Sequence, residues 1–267
     1  MIRIGVRSFV TSGGNDADAQ AFIDAAGITD ATQQSAINTL VTDLKGYGIW
    51  TKMKAIYPFC GGTASSHKWN LKNPADTDAA FRLVFSGGIT HSGTGVLFNG
   101  TNGYSNTYLN PSASLSLNST HFTYYSRSNN TYSGVMIGTS STGNGQSLLA
   151  LKVDSGTPQD YTCVHNNATA GNSPSRNDGL FTATRTESGS FKVFRNSTVY
   201  RNSSITSTSL STTNFYLGAR NNNNSVIQYT TLQCAFASIG DGLTDTEVAN
   251  LYTAVQAYQT SLNRQVS

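Results

Sequence analysis

Residues 179–265 constrain the fold more than any other stretch, because they repeat a strand pattern and then change period once. FKVFRNSTVY (191–200) is two alternating runs around Asn196 and Ser197, the pattern of a hairpin. NFYLG (214–218) is a further strand, and NNNNS (221–225) is a polar tract with nothing to bury, expected as a loop. TLQCAFASI (231–239) is a strand in which a period of two sets Leu232, Cys234 and Phe236 on one face. Gly240 and Gly242 then break the strand. Thr244 with Glu247 three residues on is a capping box, and Leu243 and Val248 can staple across it. Val248, Leu251, Tyr252, Val255 and Tyr258 recur at helical spacing. The expected object is the end of a β-sandwich closed by one C-terminal helix.

Upstream, residues 93–239 are one short run after another, such as SLLALKV (147–153) and YTCVH (161–165), separated by Gly, Asn and Ser. No fixed repeat period is present, which disfavours propellers and solenoids. Residues 81–85 predict a strand, and His67 to Trp69 a strand or turn. The segment 16–60 differs. DAQAFIDAA (18–26) before Gly27 predicts a helix. Thr29 or Asp30 caps a second one, with Ile37, Leu40, Val41 and Leu44 on one face as far as Gly46. Trp50, Met53 and Ile56 predict a short third helix ended by Pro58. Their apolar stripes require a partner surface, either the outer face of the sandwich or another protein. Residues 1–15 begin with Ile2, Ile4 and Val6 alternating against Arg3 and Arg7, then turn polar. They predict a strand or arm that pairs with its own sheet or with a neighbouring subunit. No apolar core of a signal peptide is present there. The chain divides into an arm (1–15), a helical segment (16–60) and a sandwich with its closing helix (61–267).

Two segments carry a family resemblance. AFASIG (235–240) leads into LTDTEVANLY (243–252), and VLFNG (96–100) is followed by Tyr104, LNP (109–111) and HFTYYSR (121–127). Together they resemble the laminin G and concanavalin A-like jelly-roll family over residues 80–265. The whole chain, with its helical segment 28–59, further resembles small virion proteins of tailed bacteriophages that carry this module. The resemblance implies a mainly β protein: a concanavalin A-like antiparallel sandwich with a short N-terminal helical segment and a C-terminal helix. It also implies a virion structural or decoration protein, present in several copies or as a homo-oligomer and assembled in the host cytoplasm. Such a protein would dock to other head or tail proteins through its arm and helices. The alternative is a glycan- or receptor-binding module of a fibre or spike.

Charged residues make up only 12% of the chain and the net charge is +3, with no basic cluster, so nucleic acid is not an expected partner. No apolar run is long enough to span a membrane. Cys60, Cys163 and Cys234 are odd in number and far apart, which predicts free thiols, with Cys234 in the core, and assembly in a reducing compartment. A glycosidase on this fold needs two carboxylates about 5 Å apart. Glu187 and Glu247 are the two glutamates of the chain, and from 79 to 240 the other carboxylates are Asp154, Asp160 and Asp178, each in or beside a loop. No Gly-x-Ser-x-Gly elbow occurs, and His67, His91, His121 and His165 are dispersed. No enzyme and no catalytic residue is expected. The resemblance implies an acidic, calcium-binding residue in a Phe-Asp-Gly turn; here that position is Asn99, with Asn102 downstream, so no metal or cofactor is expected. Sugar sites combine aromatic platforms with amides. Trp69, Tyr104, Tyr108, Asn221 and Asn222 are the candidate carbohydrate-binding residues.

Overall fold

The computed structural model describes residues 14–129, 133–152, 159–172, 174 and 176–266. The arm expected over 1–15 lies outside the described residues but for its last two. The rest is a sandwich of two sheets, as the strand pattern predicts. The first sheet has eight strands, in the order Thr198–Ser203, Phe191–Arg195, Gly179–Arg185, Thr120–Ser126, Gln233–Gly240, Gly95–Phe98, Ile89–Ser92, with Met53–Tyr57 also paired to Gln233–Gly240. The second has ten, running Gly171–Asn172, Gln159–Asp160, Gln146–Lys152, Ser133–Ser140, Tyr216–Leu217, Tyr104–Asn106, Val84–Ser86. Cys163–Asn166 and the hairpin Arg220–Asn222/Ser225–Ile227 are attached to its middle. The pairing is antiparallel except between Arg220–Asn222 and Ser133–Ser140, which run parallel.

Between the sheets lies a core to which both contribute, including Phe122, Tyr124 and Phe181 from the first and Ile137, Leu149 and Leu217 from the second. A separate apolar layer covers the outer face of the first sheet. Helices α1 (Ala17–Ala26) and α2 (Ala31–Gly46) pack there with the C-terminal helix α5 (Asp245–Ser261) onto Tyr125, Leu180, Phe194, Ala235 and Phe236, while α3 (Ala64–His67) and α4 (Pro111–Ser114) are single turns. Each helix begins as its sequence dictates. Asp16 and Asp30 cap α1 and α2 through their carboxylates, and Thr244 and Glu247 form the reciprocal capping box of α5. Gly27 ends α1 in the left-handed region that glycine enters without strain. Ile37, Leu40, Val41 and Leu44 are all buried, so the α2 stripe is used on the chain's own sheet. At about 1.5–3 kcal/mol for each large apolar side chain, this layer is a large part of what holds the fold.

Three expectations are corrected. The third helix is a single 3-10 turn at Trp50–Lys52, after which Met53–Tyr57 is a strand on Gln233–Gly240. Its apolar residues face both the helical layer and the inter-sheet core (Met53 and Ile56 the former, Ala55 and Tyr57 the latter), which erases the alternation. A Cβ on Gly240 would sit 2.1 Å from the Lys52 carbonyl, so glycine is what lets this strand enter. The tract 221–225 belongs to a hairpin, with Asn223 and Asn224 supplying positive φ at its turn. Asn221 is buried there. Finally, Phe236 does not share a face with Leu232 and Cys234. The register shifts between Cys234 and Phe236, so Phe236 pairs with Tyr125 and points to the helices, while Cys234 points into the sandwich.

Candidate functional site

The first sheet is roofed by helices; among the described residues no helix packs on the outer face of the second, called here the bare sheet. Its outer face carries a small apolar cluster of Val135, Leu148, Ala150 and Cys163, with half-buried Tyr161 and Ala168 beside it. Leu148 and Ala150 alternate with the core residues Leu149 and Leu151, which fixes them to the outside, and Val135 joins them because the register shifts between it and the core residue Ile137. Val135, Leu148, Ala150, Tyr161 and Ala168 line a cleft of about 280 Å³ together with Arg220 and Gln228. Arg220 also borders a second depression of about 400 Å³, lined by hydroxyls and amides that include Ser140, Asn144, Gln146, Asn167 and Asn222. An apolar floor with one aromatic thus meets a polar groove across a single guanidinium. The Tyr161 hydroxyl donates to Gln159 Oε1 at 2.6 Å, which leaves the ring as a wall of the cleft. Arg220 donates from Nε to Ser140 Oγ at 2.9 Å and from Nη1 to Gln228 Oε1 at 3.5 Å, the latter at the outer limit of a hydrogen bond.

The predicted sugar residues do not converge. Tyr104 stacks on Tyr216, ring centroids 4.8 Å apart, on the outer face of the bare sheet, and Tyr108 lies close by. Asn222 reaches the rim of the polar groove and accepts from Ser140 Oγ at 3.0 Å. Asn221 instead donates to the Asn214 carbonyl and accepts from the Asn224 amide, so its side chain builds the hairpin. Trp69 packs against the helical layer, on the opposite side of the molecule, with the Lys68 ammonium 4.6 Å from its ring centre. Sequence reasoning missed Val135, Leu148, Ala150, Tyr161 and Arg220. A signal for them exists in QSLLALK (146–152): four consecutive apolar residues mark a strand apolar on both faces.

Among the described residues the acid–base groups are engaged elsewhere; Asp154 lies outside them. Glu247 holds the α5 cap and pairs with Lys52; Glu187 accepts from Ser190. Asp160, fully buried, pairs with Arg201 at 3.1 Å, and Asp178 with Arg176 and Arg195. The Asp178 carboxyl is held below the usual carboxylate range by the Arg176 hydrogen bond. Ser147 and His165 do touch, Oγ to Nδ1 at 2.9 Å, but both are buried. The Thr120 hydroxyl donates to the Ser116 carbonyl, so it accepts from His165 Nε2; the imidazole is neutral with Nδ1 accepting from Ser147. Burial pushes His165 down to about 3. His67 and His91 meet through their Nδ1 atoms at 3.0 Å, and burial with the neighbouring His91 lowers His67 to about 3. His67 Nε2 accepts from the Gly62 amide, so its Nδ1 carries the proton. At the turn where the resemblance implies calcium, the Asn99 carbonyl oxygen accepts three backbone amides, from Thr101, Asn102 and Gly103, and its amide donates to Asn102. An amide thereby holds the turn by hydrogen bonds alone. Among the described residues no cluster of three His, Cys, Asp or Glu could hold a metal, and no helix is long and apolar enough to cross a membrane.

No protein family and no curated protein matches this sequence. Solved structures do share its fold. One is a mutant of Trypanosoma rangeli sialidase displaying trans-sialidase activity, aligned over 84% of this chain and 39% of its own at 12% identity and a TM-score of 0.53. Another is the binding domain of botulinum neurotoxin DC in complex with rat synaptotagmin II, aligned over 78% of this chain and 53% of its own at 9% identity and a TM-score of 0.51. This chain spans well under two thirds of either, and identities so low establish a common β-sandwich, jelly-roll-like architecture and nothing finer.

Proposed function

We propose that the chain is a non-enzymatic glycan-binding attachment module, displayed in several copies on a tailed-bacteriophage virion. The observation that carries the binding reading is the cleft on the bare sheet: an apolar floor with the Tyr161 ring, opening onto a groove of hydroxyls and amides. That is the composition that receives a sugar, whose C–H face packs on apolar surface while its hydroxyls exchange hydrogen bonds. The engagement of the sandwich carboxylates and buried histidines in structural bonds supports a role in binding rather than turnover. The same architecture in a toxin's binding domain is compatible with attachment as a use of this fold. The virion setting rests on the sequence resemblance. Docking to other virion proteins through the helices would use their polar outer residues, since their apolar stripes are buried; the arm remains the natural tether. Multiple copies would raise weak single-site affinity by avidity.

A glycan array tests this. The purified protein should bind a subset of glycans, Tyr161→Ala should lose most of the signal, and Trp69→Ala should keep it. Failure to bind any glycan, or loss through Trp69→Ala with Tyr161→Ala unaffected, contradicts the proposal. Mass spectrometry of purified particles tests the setting: the chain should be present at many copies per particle.

A further inference from the structure

We infer that the ligand of the open cleft is an acidic glycan, whose carboxylate or sulfate group pairs with Arg220. This rests on the glycan-binding reading above and narrows it to a class.

The large buried arginines of this protein show what a structural guanidinium requires. Arg264, 1% exposed, donates to the carbonyls of Pro58, Phe59, Gly93 and Ala235 and to Gln259 Oε1. Arg185, equally buried, donates to four carbonyls and Asn166. Arg201 has a carboxylate in Asp160. Arg264 and Arg185 are saturated at all three nitrogens, and Arg201 donates five bonds through Nη1 and Nη2. Arg220 is not saturated. It is half-buried, it holds one firm hydrogen bond through Nε and one long one through Nη1, and among the described residues Nη2 has no partner and no carboxylate lies in salt-bridge range.

Its position turns this deficit into selectivity. Nε is anchored on Ser140, so the guanidinium plane is held at the boundary where the apolar cleft meets the polar groove. A planar guanidinium presents parallel N–H bonds that match a carboxylate or sulfate. An acidic sugar seated with its apolar face on Tyr161 and Ala168 would place its anionic group over Arg220 and its hydroxyls toward Asn144 and Asn222. A neutral sugar would leave the guanidinium uncompensated.

The test compares neutral oligosaccharides with carboxylate-bearing and sulfate-bearing derivatives of the same cores, on an array and by titration. Binding of wild type, Arg220→Ala and Arg220→Lys is measured, with the melting temperature of each. Acidic derivatives should bind ten- to a hundredfold more tightly than their neutral parents, the range of about one charge-assisted hydrogen-bond pair. Arg220→Ala should abolish the preference at unchanged melting temperature, and Arg220→Lys should retain part of it. The two arms identify which anionic group is preferred. Equal binding of neutral and acidic derivatives, or a preference that survives Arg220→Ala, overturns the inference. Tyr161-dependent binding of neutral sugars alone leaves the glycan-binding function standing and removes this inference; binding of no glycan removes both.

Discussion

Arg264 and Arg220 are the same side chain put to opposite uses on opposite faces of one sandwich. Arg264 follows α5 and ties the end of that helix to the strand ends at Pro58, Phe59 and Ala235, with every donor met inside the protein. Arg220 lies on the bare sheet with donors left over. The sheets differ in the same way. One has its outer apolar residues roofed by three helices; the other leaves Val135, Leu148 and Ala150 beside an open cleft. A cleft with an apolar floor is where to look for a ligand.

The comparison makes graded predictions. Acid should have the largest effect. His67, His121 and His165 are buried neutral, at about 3, 4 and 3 against 6.5 in the unfolded chain, chiefly because burial penalises the charged form. The unfolded state therefore binds more protons below 6.5. Stability should be full above that pH and fall as pH drops toward 4, by several kcal/mol in all, followed by chemical denaturation across pH. His165 bridges Thr120 of the roofed sheet and Ser147 of the bare one, so both halves should melt together. A pH-independent midpoint from 7 to 4 would contradict the burial. Next, Phe236→Ala should cost about 3–5 kcal/mol, because Phe236 fills the layer under the helices. Arg264→Ala should cost at least about 3 kcal/mol by stranding buried carbonyls. Thr244→Ala, which removes the α5 cap, should cost about 1 kcal/mol. Arg220→Ala and Tyr161→Ala should change stability by less than about 0.5 and 1 kcal/mol, for they finish no closed structure. If Arg220→Ala proved as costly as Arg264→Ala, the contrast between the faces would collapse.

Much of the roofed side was legible in the sequence. The α2 stripe, the capping box at Thr244 and Glu247, and the hairpin at Asn196 are local patterns, and local patterns survive folding. What was lost depended on non-local pairing. Met53–Tyr57 reads as a helix because it is buried on both faces, so its alternation is absent. The period of two puts Phe236 on the face of Cys234, but an extra residue in the ladder reverses it, and nothing in AFAS announces that. Asn221 looked like a loop residue but supplies a buried amide to its own hairpin. The open cleft was hardest. Its residues come from Gly134 to Gln228 and meet only when four segments pair. Trp69 and the tyrosines drew attention as aromatics, yet an aromatic in isolation does not say which face it will occupy.

If glycan binding belongs to the bare sheet, blocking that face must abolish it. The most direct measurement fills each face in turn and reads the glycan array. Ala168→Trp would plug the cleft, while Thr253→Trp adds the same bulk on the exposed side of α5. Ala168→Trp should lose glycan binding at an unchanged melting temperature, and Thr253→Trp should bind like wild type. Retention of binding by Ala168→Trp, or its loss in Thr253→Trp, would contradict it.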